Sequence, residues 1–589
     1  MVTKHLTIGY ALAISVGVLA AGSVRAAPYP NLPICTAPYT QGFPQHDSPI
    51  ASDLAGGAYV AWSDTRVDPN HGGDIYIQHV VARGIVDPAW PSNGLLVCAA
   101  IGNQGDAVVA QDGHGGAFVA WYDERSGLDQ DIYAQHVLGN GTLDPQWPSG
   151  GLAVCTAVKN QNYPVIISDR GDGVYVGWTD YRNAADADVF LQHLLPAGHV
   201  DSLWPSNGLK VLGPNFADFP GDQSEVSLLC DRPDAVLVVF QSDFDIYVQR
   251  VLVTGQVDPG WPDFGAPASV AGPYCFFPVI ASDSSGGCFA SWYTDLSTPY
   301  TIRATHVLSS GAIDPSWSSN GLILCTGSGR VRYPRIVDDR IGGAMVVWGD
   351  QRTGAASIYA AHIKPNGALS PGWPANGLNV APVTGSKSLP TVGADGMGGF
   401  LAAWQDGRNG NTDIYAQHVR FDGSLDPEWS AGGVPVCTAA GTQSYPYIMA
   451  DVTGESTIAW MDNRFGSSSG SIAGRDIYGQ HVTSHGRLGV DILSVPEQSE
   501  ARIRIKPAAG NPSRGSGAVV LVTTLDAGPL KAQLFDIMGR LVSSVSFSRL
   551  GLGTTIVHFP STANAPDGVY FATARQRGLE ATTRVVIAR

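Results

Sequence analysis

Seven histidines, His79, His136, His193, His306, His362, His418 and His481, recur along the 589-residue chain, each within an Asp-Ile-Tyr-x-Gln-His-Val segment or a variant of it. Imidazole is a common metal ligand and proton shuttle, so zinc or acid–base chemistry is the first question. A zinc site needs three or four ligands converging within about 2 to 2.3 Å of one ion. One histidine per repeat unit places them on separate units, where they diverge. Each shares a strand face with the residues two and four positions before it, so the pattern predicts packed, hydrogen-bonded imidazoles. Arg250 takes the histidine's place in the fourth unit.

The acids pose the second question. Glycosidases use two carboxylates about 5 to 9.5 Å apart, one with a raised pKa, but the chain has 51 acids, so their presence decides nothing. Asp64/Arg66, Asp123/Arg125, Asp180/Arg182, Asp350/Arg352, Asp406/Arg408 and Asp462/Arg464 form one Asp-x-Arg pair in each of six units, suited to fixing a loop through charge-assisted hydrogen bonds. Asp186-Ala187-Asp188 and Asp243-Phe244-Asp245 could offer oxygens to calcium but lack the ligand series of an EF-hand loop, so bound calcium is the lesser reading. The fourteen tryptophans fall on two repeat positions, seven ending a strand and seven (Trp90, Trp147, Trp204, Trp261, Trp317, Trp373, Trp429) in Asp-Pro-x-Trp-like loops. A wedge between units is the expected role of the loop set, with a sugar-stacking platform as the alternative. No residue is assigned a catalytic, cofactor or metal role, and the binding residues are not named. An enzyme on a symmetric scaffold should break the repeat near its axis. The fourth and fifth units do break it, at Phe240, Arg250, Asp295-Leu296 and Thr301, mostly by deleting polar groups.

These residues ride on a repeat. Asp53, Asp112, Asp169, Asp231, Asp283, Asp339, Asp395 and Asp451 are each followed nine residues later by Trp62, Trp121, Trp178, Phe240, Trp292, Trp348, Trp404 and Trp460. The period of 52 to 62 residues accommodates four short strands with turns, the content of a propeller blade. In the second unit these are Ala107-Val108-Val109-Ala110, Ala117 to Trp121, Asp131 to Val137 and Leu152-Ala153-Val154-Cys155. The last unit lacks the Cys strand, whereas Leu32-Pro33-Ile34-Cys35-Thr36-Ala37 matches Val434-Pro435-Val436-Cys437-Thr438-Ala439 and precedes the first unit without a blade to join. A strand given by the N-terminal segment to the last sheet would close a ring and remove its exposed edges. The expected fold is all-β: an eight-bladed β-propeller closed by an N-terminal strand, followed by an Ig-like β-sandwich.

The recurring Pro-x-Ile-x-x-Asp, Trp-ended strand, Asp-x-Arg loop and Asp-Ile-Tyr resemble the propellers of the TolB and related bacterial surface-protein families, over Leu32 to Gly489. That resemblance implies architecture and leaves function open. After Leu493 the composition shifts. Asn511-Pro512, Leu534 to Val542, Pro566 to Phe571 and Arg584 to Arg589 resemble the Ig-like C-terminal sorting domains of type IX secretion cargo and the Ig-like module of flagellar hook-capping protein. The resemblance implies an export or attachment role through the export machinery. The Met538-Gly539 and Asp567-Gly568 turns are each expected to join strands of suitable length.

Composition agrees with this class. Hydrophobic residues make up 44% and charged ones 15%, with 71 Gly and 39 Pro, which suits many short strands. A formal charge of −16 argues against nucleic acid, whose binding draws on Lys and Arg. Lys4 and His5 precede an apolar run from Leu6 to Gly22, and Val24-Arg25-Ala26 presents small residues where a signal peptidase reads. We therefore expect a signal peptide over 1–26, the propeller over 27–493, a linker over 494–500 and the Ig-like sorting or anchoring domain over 501–589. An uncleaved anchor, which needs about 20 apolar residues, is the lesser reading. The eight cysteines are even in number, but Cys98, Cys155, Cys325 and Cys437 are repeat equivalents, too far apart to bridge if each sits in its own blade. Cys275 and Cys288 alone could be joined, in poor register.

The function expected from these residues is that of an exported, monomeric, non-enzymatic surface or extracellular propeller binding a protein or glycan partner. The alternatives are a carbohydrate-active hydrolase or lyase on the same ring, and a structural surface-layer component. A channel lined evenly by repeat positions would favour binding or structure. Carboxyl groups gathered in one inward-facing pocket would favour the enzyme.

Overall fold

The computed structural model describes residues 31–489, apart from 38–40, 44–48, 68–71, 83, 184–185, 213–221, 270–273, 296–297, 452–453 and 466–474, together with most of 503–588. The expected leader and the 494–500 linker lie outside the described residues. All regular elements are strands, and no helix among the described residues is long and apolar enough to cross a membrane. The chain forms two compact units, Met1–Val490 and Asp491–Arg589.

The first unit contains eight antiparallel sheets, called blades here in order of their innermost strand. Blade 2 is typical, with Gln104–Gln111 innermost, then Ala117–Asp123, Asp131–Leu138 and Leu152–Cys155. The second strand is buried on both faces, because neighbouring sheets cover each side. Trp121 stands two residues before its end, fully buried, its Nε1–H donating to Asp123 at 2.8 Å. A Cβ on Gly151 (φ +100°) would lie 2.6 Å from the Trp121 ring, so only glycine lets this turn close over the indole.

Closure follows from two observations. Innermost strands of successive blades touch all the way around, and that of blade 1 also touches that of blade 8. Leu32–Cys35 then completes blade 8 by pairing antiparallel with Asp476–Val482, Leu32 opposite Gly479 and Cys35 opposite Ile477. Gly479 replaces the Ile77, Ala134 or Leu191 of other blades, and a Cβ there would approach Ile34 Cδ1 to 2.9 Å. The missing side chain makes room for the incoming strand.

The second unit is a sandwich of a three-stranded and a five-stranded sheet around Val522, Leu530, Leu534, Val557, Phe559 and Tyr570. Gly528–Asp536 and Leu541–Leu550 pair as the expected hairpin, although Met538-Gly539 itself lies outside the described residues, as do Asn511-Pro512 and Pro566-Asp567. Gly553–His558 pairs in the small sheet and Gly568–Gln576 in the large one, so the chain crosses between sheets there.

Candidate functional site at the channel mouth

Most of the sequence-singled side chains are spent on holding blades together. His136 is bonded through Nδ1 to Asp144 at 2.8 Å and through Nε2 to Asp112 at 3.0 Å, and it stacks on Phe118 with ring centres 4.4 Å apart. His79, His193, His306 and His418 repeat the two-aspartate arrangement, while His362 keeps one aspartate, Asp339, and His481 pairs with Glu455. Burial alone would lower the pKa of His136, but the bonds to Asp112 and Asp144 outweigh it and the net direction is up. Each loop Trp is nearly buried and donates Nε1–H to a carbonyl of the next blade, as Trp147 does to Pro196 at 2.9 Å. These indoles are wedges, and the sugar-platform alternative for them fails on burial. Arg125 clamps Asp123 through Nε and Nη2 and lies 3.8 Å over the Tyr133 ring. All eight cysteines are buried thiols; Cys275 faces Thr294 and Cys288 faces Ser282, at opposite ends of one hairpin.

The repeat-breaking residues have local partners, except that Leu296 lies outside the described residues. Phe240 is core, Arg250 pairs with Asp258, Thr301 bonds Thr294 at 2.8 Å, and Asp295 is held by Arg332 of the next blade. Of the calcium candidates, Asp188 is taken by Lys210 and Asn183, both at 2.7 Å, and Asp245 by Ser269. No group of three or more potential metal ligands occurs among the described residues.

The structure points instead to a position that the sequence reading passed over. Every innermost strand from blade 2 to blade 8 starts with a bulge, and its first bulged residue has positive φ: Asp106 (50°), Tyr163 (52°), Glu225 (54°), Phe277 (51°), Tyr333 (54°), Leu389 (48°) and Tyr445 (51°). Side-chain residues seldom adopt this conformation, so the surroundings must impose it. They do so from the strand start. Gln104 and Gln161, fully buried, donate to the loop carbonyls of Gly102 and Lys159, and in blade 7 Lys387 Nζ does the same to Val383 and Gly385.

Six of the seven bulge residues, all but Asp106, line one cavity of about 670 Å³ in the central channel. Its wall is aliphatic, including Val165, Ile166, Val226, Ile280 and Val392, and its collar is aromatic. Phe277 packs parallel to Tyr293 at 5.7 Å and edge-on to Tyr333 at 5.7 Å. Two charges enter this setting. Burial pushes the Glu225 carboxyl up to about 7, only partly countered by the Arg335 guanidinium, which also lines the cavity. Burial also raises Asp106, and Asp106 in turn adds to the burial that pushes Tyr122 up to about 12. A carboxyl that is half-protonated near neutrality can give or take a proton, and an adjacent cation can hold developing negative charge. The channel is thus uneven, with acid and phenols on one repeat position and an arginine two residues beyond it in blade 6. A signal was present in the sequence, since this position varies from Asp to Tyr, Glu, Phe and Leu although proline follows it in five of the seven blades.

No protein-family model and no curated protein matches the sequence. Solved structures do resemble it. An ulvan lyase of polysaccharide lyase family PL25 superposes with a TM-score of 0.43 at 10% identity, covering 78% of this chain and 97% of the lyase. A thermostable family-43 glycoside hydrolase gives 0.26 at 10%, covering 46% and 92%, and TolB from Acinetobacter baumannii gives 0.26 at 12%, covering 67% and 81%. The chain is an all-β, propeller-like protein. None of these likenesses bears on what it does.

Proposed function

We propose that the protein is a carbohydrate-active propeller that takes a saccharide into the channel mouth and transfers a proton to or from it through Glu225. The single observation that carries this reading is the Glu225 carboxyl, with a pKa of about 7, in an aromatic-collared cavity beside Arg335. Apolar faces of sugar rings stack on Tyr and Phe, while a carboxyl and a guanidinium serve hydroxyl or charged substituents. Export, supported by the apolar leader and the C-terminal module, would place that substrate outside the cell.

A second reading, binding without turnover, is favoured by one specific observation: Glu225 is the sole carboxyl among the cavity's lining residues, whereas glycoside hydrolysis commonly uses two. One experiment separates the two. The full chain is incubated with a panel of polysaccharides, and new reducing ends and unsaturated products are followed between pH 5 and 9. The proposal expects turnover that changes about pH 7 and falls at least a hundred-fold in Glu225→Gln. Activity that declines above pH 7 marks Glu225 as acid, and activity that rises toward it marks a base. Saccharide binding without turnover, equal in wild type and Glu225→Gln, would establish the second reading.

A further inference from the structure

A second concavity of about 600 Å³ opens beside the channel mouth and shares Tyr181 with it. Blades 2, 3 and 4 build it from loops whose backbones are held. Asp222 at the start of blade 4 accepts the Ala187 N–H at 3.0 Å, and Asn160 accepts the Gln130 N–H at 3.2 Å. Its surface alternates apolar and polar character. Leu128 and Val158 are 89% and 72% exposed, an unusual placement for aliphatic side chains in an ordered turn, while Asp129, Asp186 and Asp222 oppose one Lys159. Tyr181 stands at the junction, 38% exposed.

Each feature restricts the occupant. An extended polyanion would meet three carboxylates against one ammonium in this lining, on a chain of net charge −16. A purely apolar ligand would take water from the same carboxylates and offer no hydrogen bond in return. A chain of uncharged sugars satisfies both, its hydroxyls donating to the carboxylates and its C–H faces lying on Leu128, Val158 and Tyr181. We infer that this groove continues the channel-mouth site as a run of subsites for a neutral polysaccharide, so that the substrate is a chain long enough to span both concavities. The inference rests on the saccharide reading above and adds the charge class and minimum length of its ligand.

The test is calorimetry on the full chain with neutral gluco-, manno-, xylo- and arabino-oligosaccharides from disaccharide to hexasaccharide, and with oligogalacturonates as acidic probes. For at least one neutral series, affinity is expected to rise about ten-fold or more beyond the disaccharide. The double variant Leu128→Ala, Asp186→Ala, at an exposed and a half-buried groove position outside the channel mouth, is expected to remove that increment and leave disaccharide binding unchanged. Charge reversal by Asp129→Lys with Asp186→Lys is expected to bring in oligogalacturonate binding that the wild type lacks. Disaccharide binding with no dependence on length, or tighter wild-type binding of the acidic series, overturns the groove and leaves the channel-mouth reading standing. Absence of binding to every saccharide overturns both.

Discussion

Replacing His136 by Leu keeps the volume of a side chain packed between Phe118 and Trp147 while deleting both of its aspartate bonds. Asp112 and Asp144 are then left almost buried, at 7% and 6% side-chain exposure, without the imidazolium between them. Two charge-assisted bonds at about 1.5–3 kcal/mol each, lessened because Asp112 Oδ1 still accepts the His114 and Gly116 N–H groups, give an expected loss of about 3–5 kcal/mol. The protein supplies its own control. His362 keeps only the Asp339 bond, at 2.8 Å, because Ser370 stands where other blades carry the second aspartate, and its Nδ1 has no partner. His362→Leu is therefore expected to cost about 2 kcal/mol. Urea unfolding gives the two differences, with hydrogen exchange read blade by blade because a ring of repeats need not unfold in one step. If the two variants lose stability within about 1 kcal/mol of each other, the second aspartate contributes nothing and the reasoning fails.

Other expectations follow from the same structure. His79, His136, His306 and His418 are raised above their ordinary 6.5, so their stabilisation is full below that value and lost as pH rises through the folded-state pKa; Asp53, Asp112, Asp283 and Asp395 are lowered from 3.8, and theirs is lost as pH falls through the folded-state pKa. The urea midpoint should therefore be highest in mildly acidic buffer, between those two ordinary values, and decline on both sides. Glu225, raised from 4.5 to about 7, costs stability as pH climbs through that range, so Glu225→Gln should be more resistant to urea than wild type above pH 7 and equal to it near pH 4. Gly479→Leu forces a side chain against Ile34 and should cost about 1–3 kcal/mol, with the Leu32–Cys35 strand becoming the first site of limited proteolysis. Cys325 and Cys437, buried and pushed up to about 12, should resist a thiol reagent in the folded protein at pH 8 and react once guanidinium unfolds it.

Sequence alone determined the repeat and its consequences. The spacing of Asp53 to Trp62 and its seven counterparts, and the stray Leu32–Ala37 segment matching Val434–Ala439, were sufficient to anticipate eight sheets and the pairing across blade 8, because a strand's hydrogen-bonding edge must be satisfied by some partner. The histidines were legible for the same reason: identical positions in a repeat receive identical surroundings. What only the tertiary structure decided is where the repeat is uneven and still accessible. Phe240, Arg250 and Thr301 break the sequence pattern but are absorbed by local partners, whereas Asp106, Tyr163, Glu225, Phe277, Tyr333, Leu389 and Tyr445 hold one repeat position, and six of them line one cavity. Residues about 55 apart in the chain meet there only because the ring closes, and the burial that lifts Glu225 to about 7 is a property of that enclosure rather than of any neighbour in sequence.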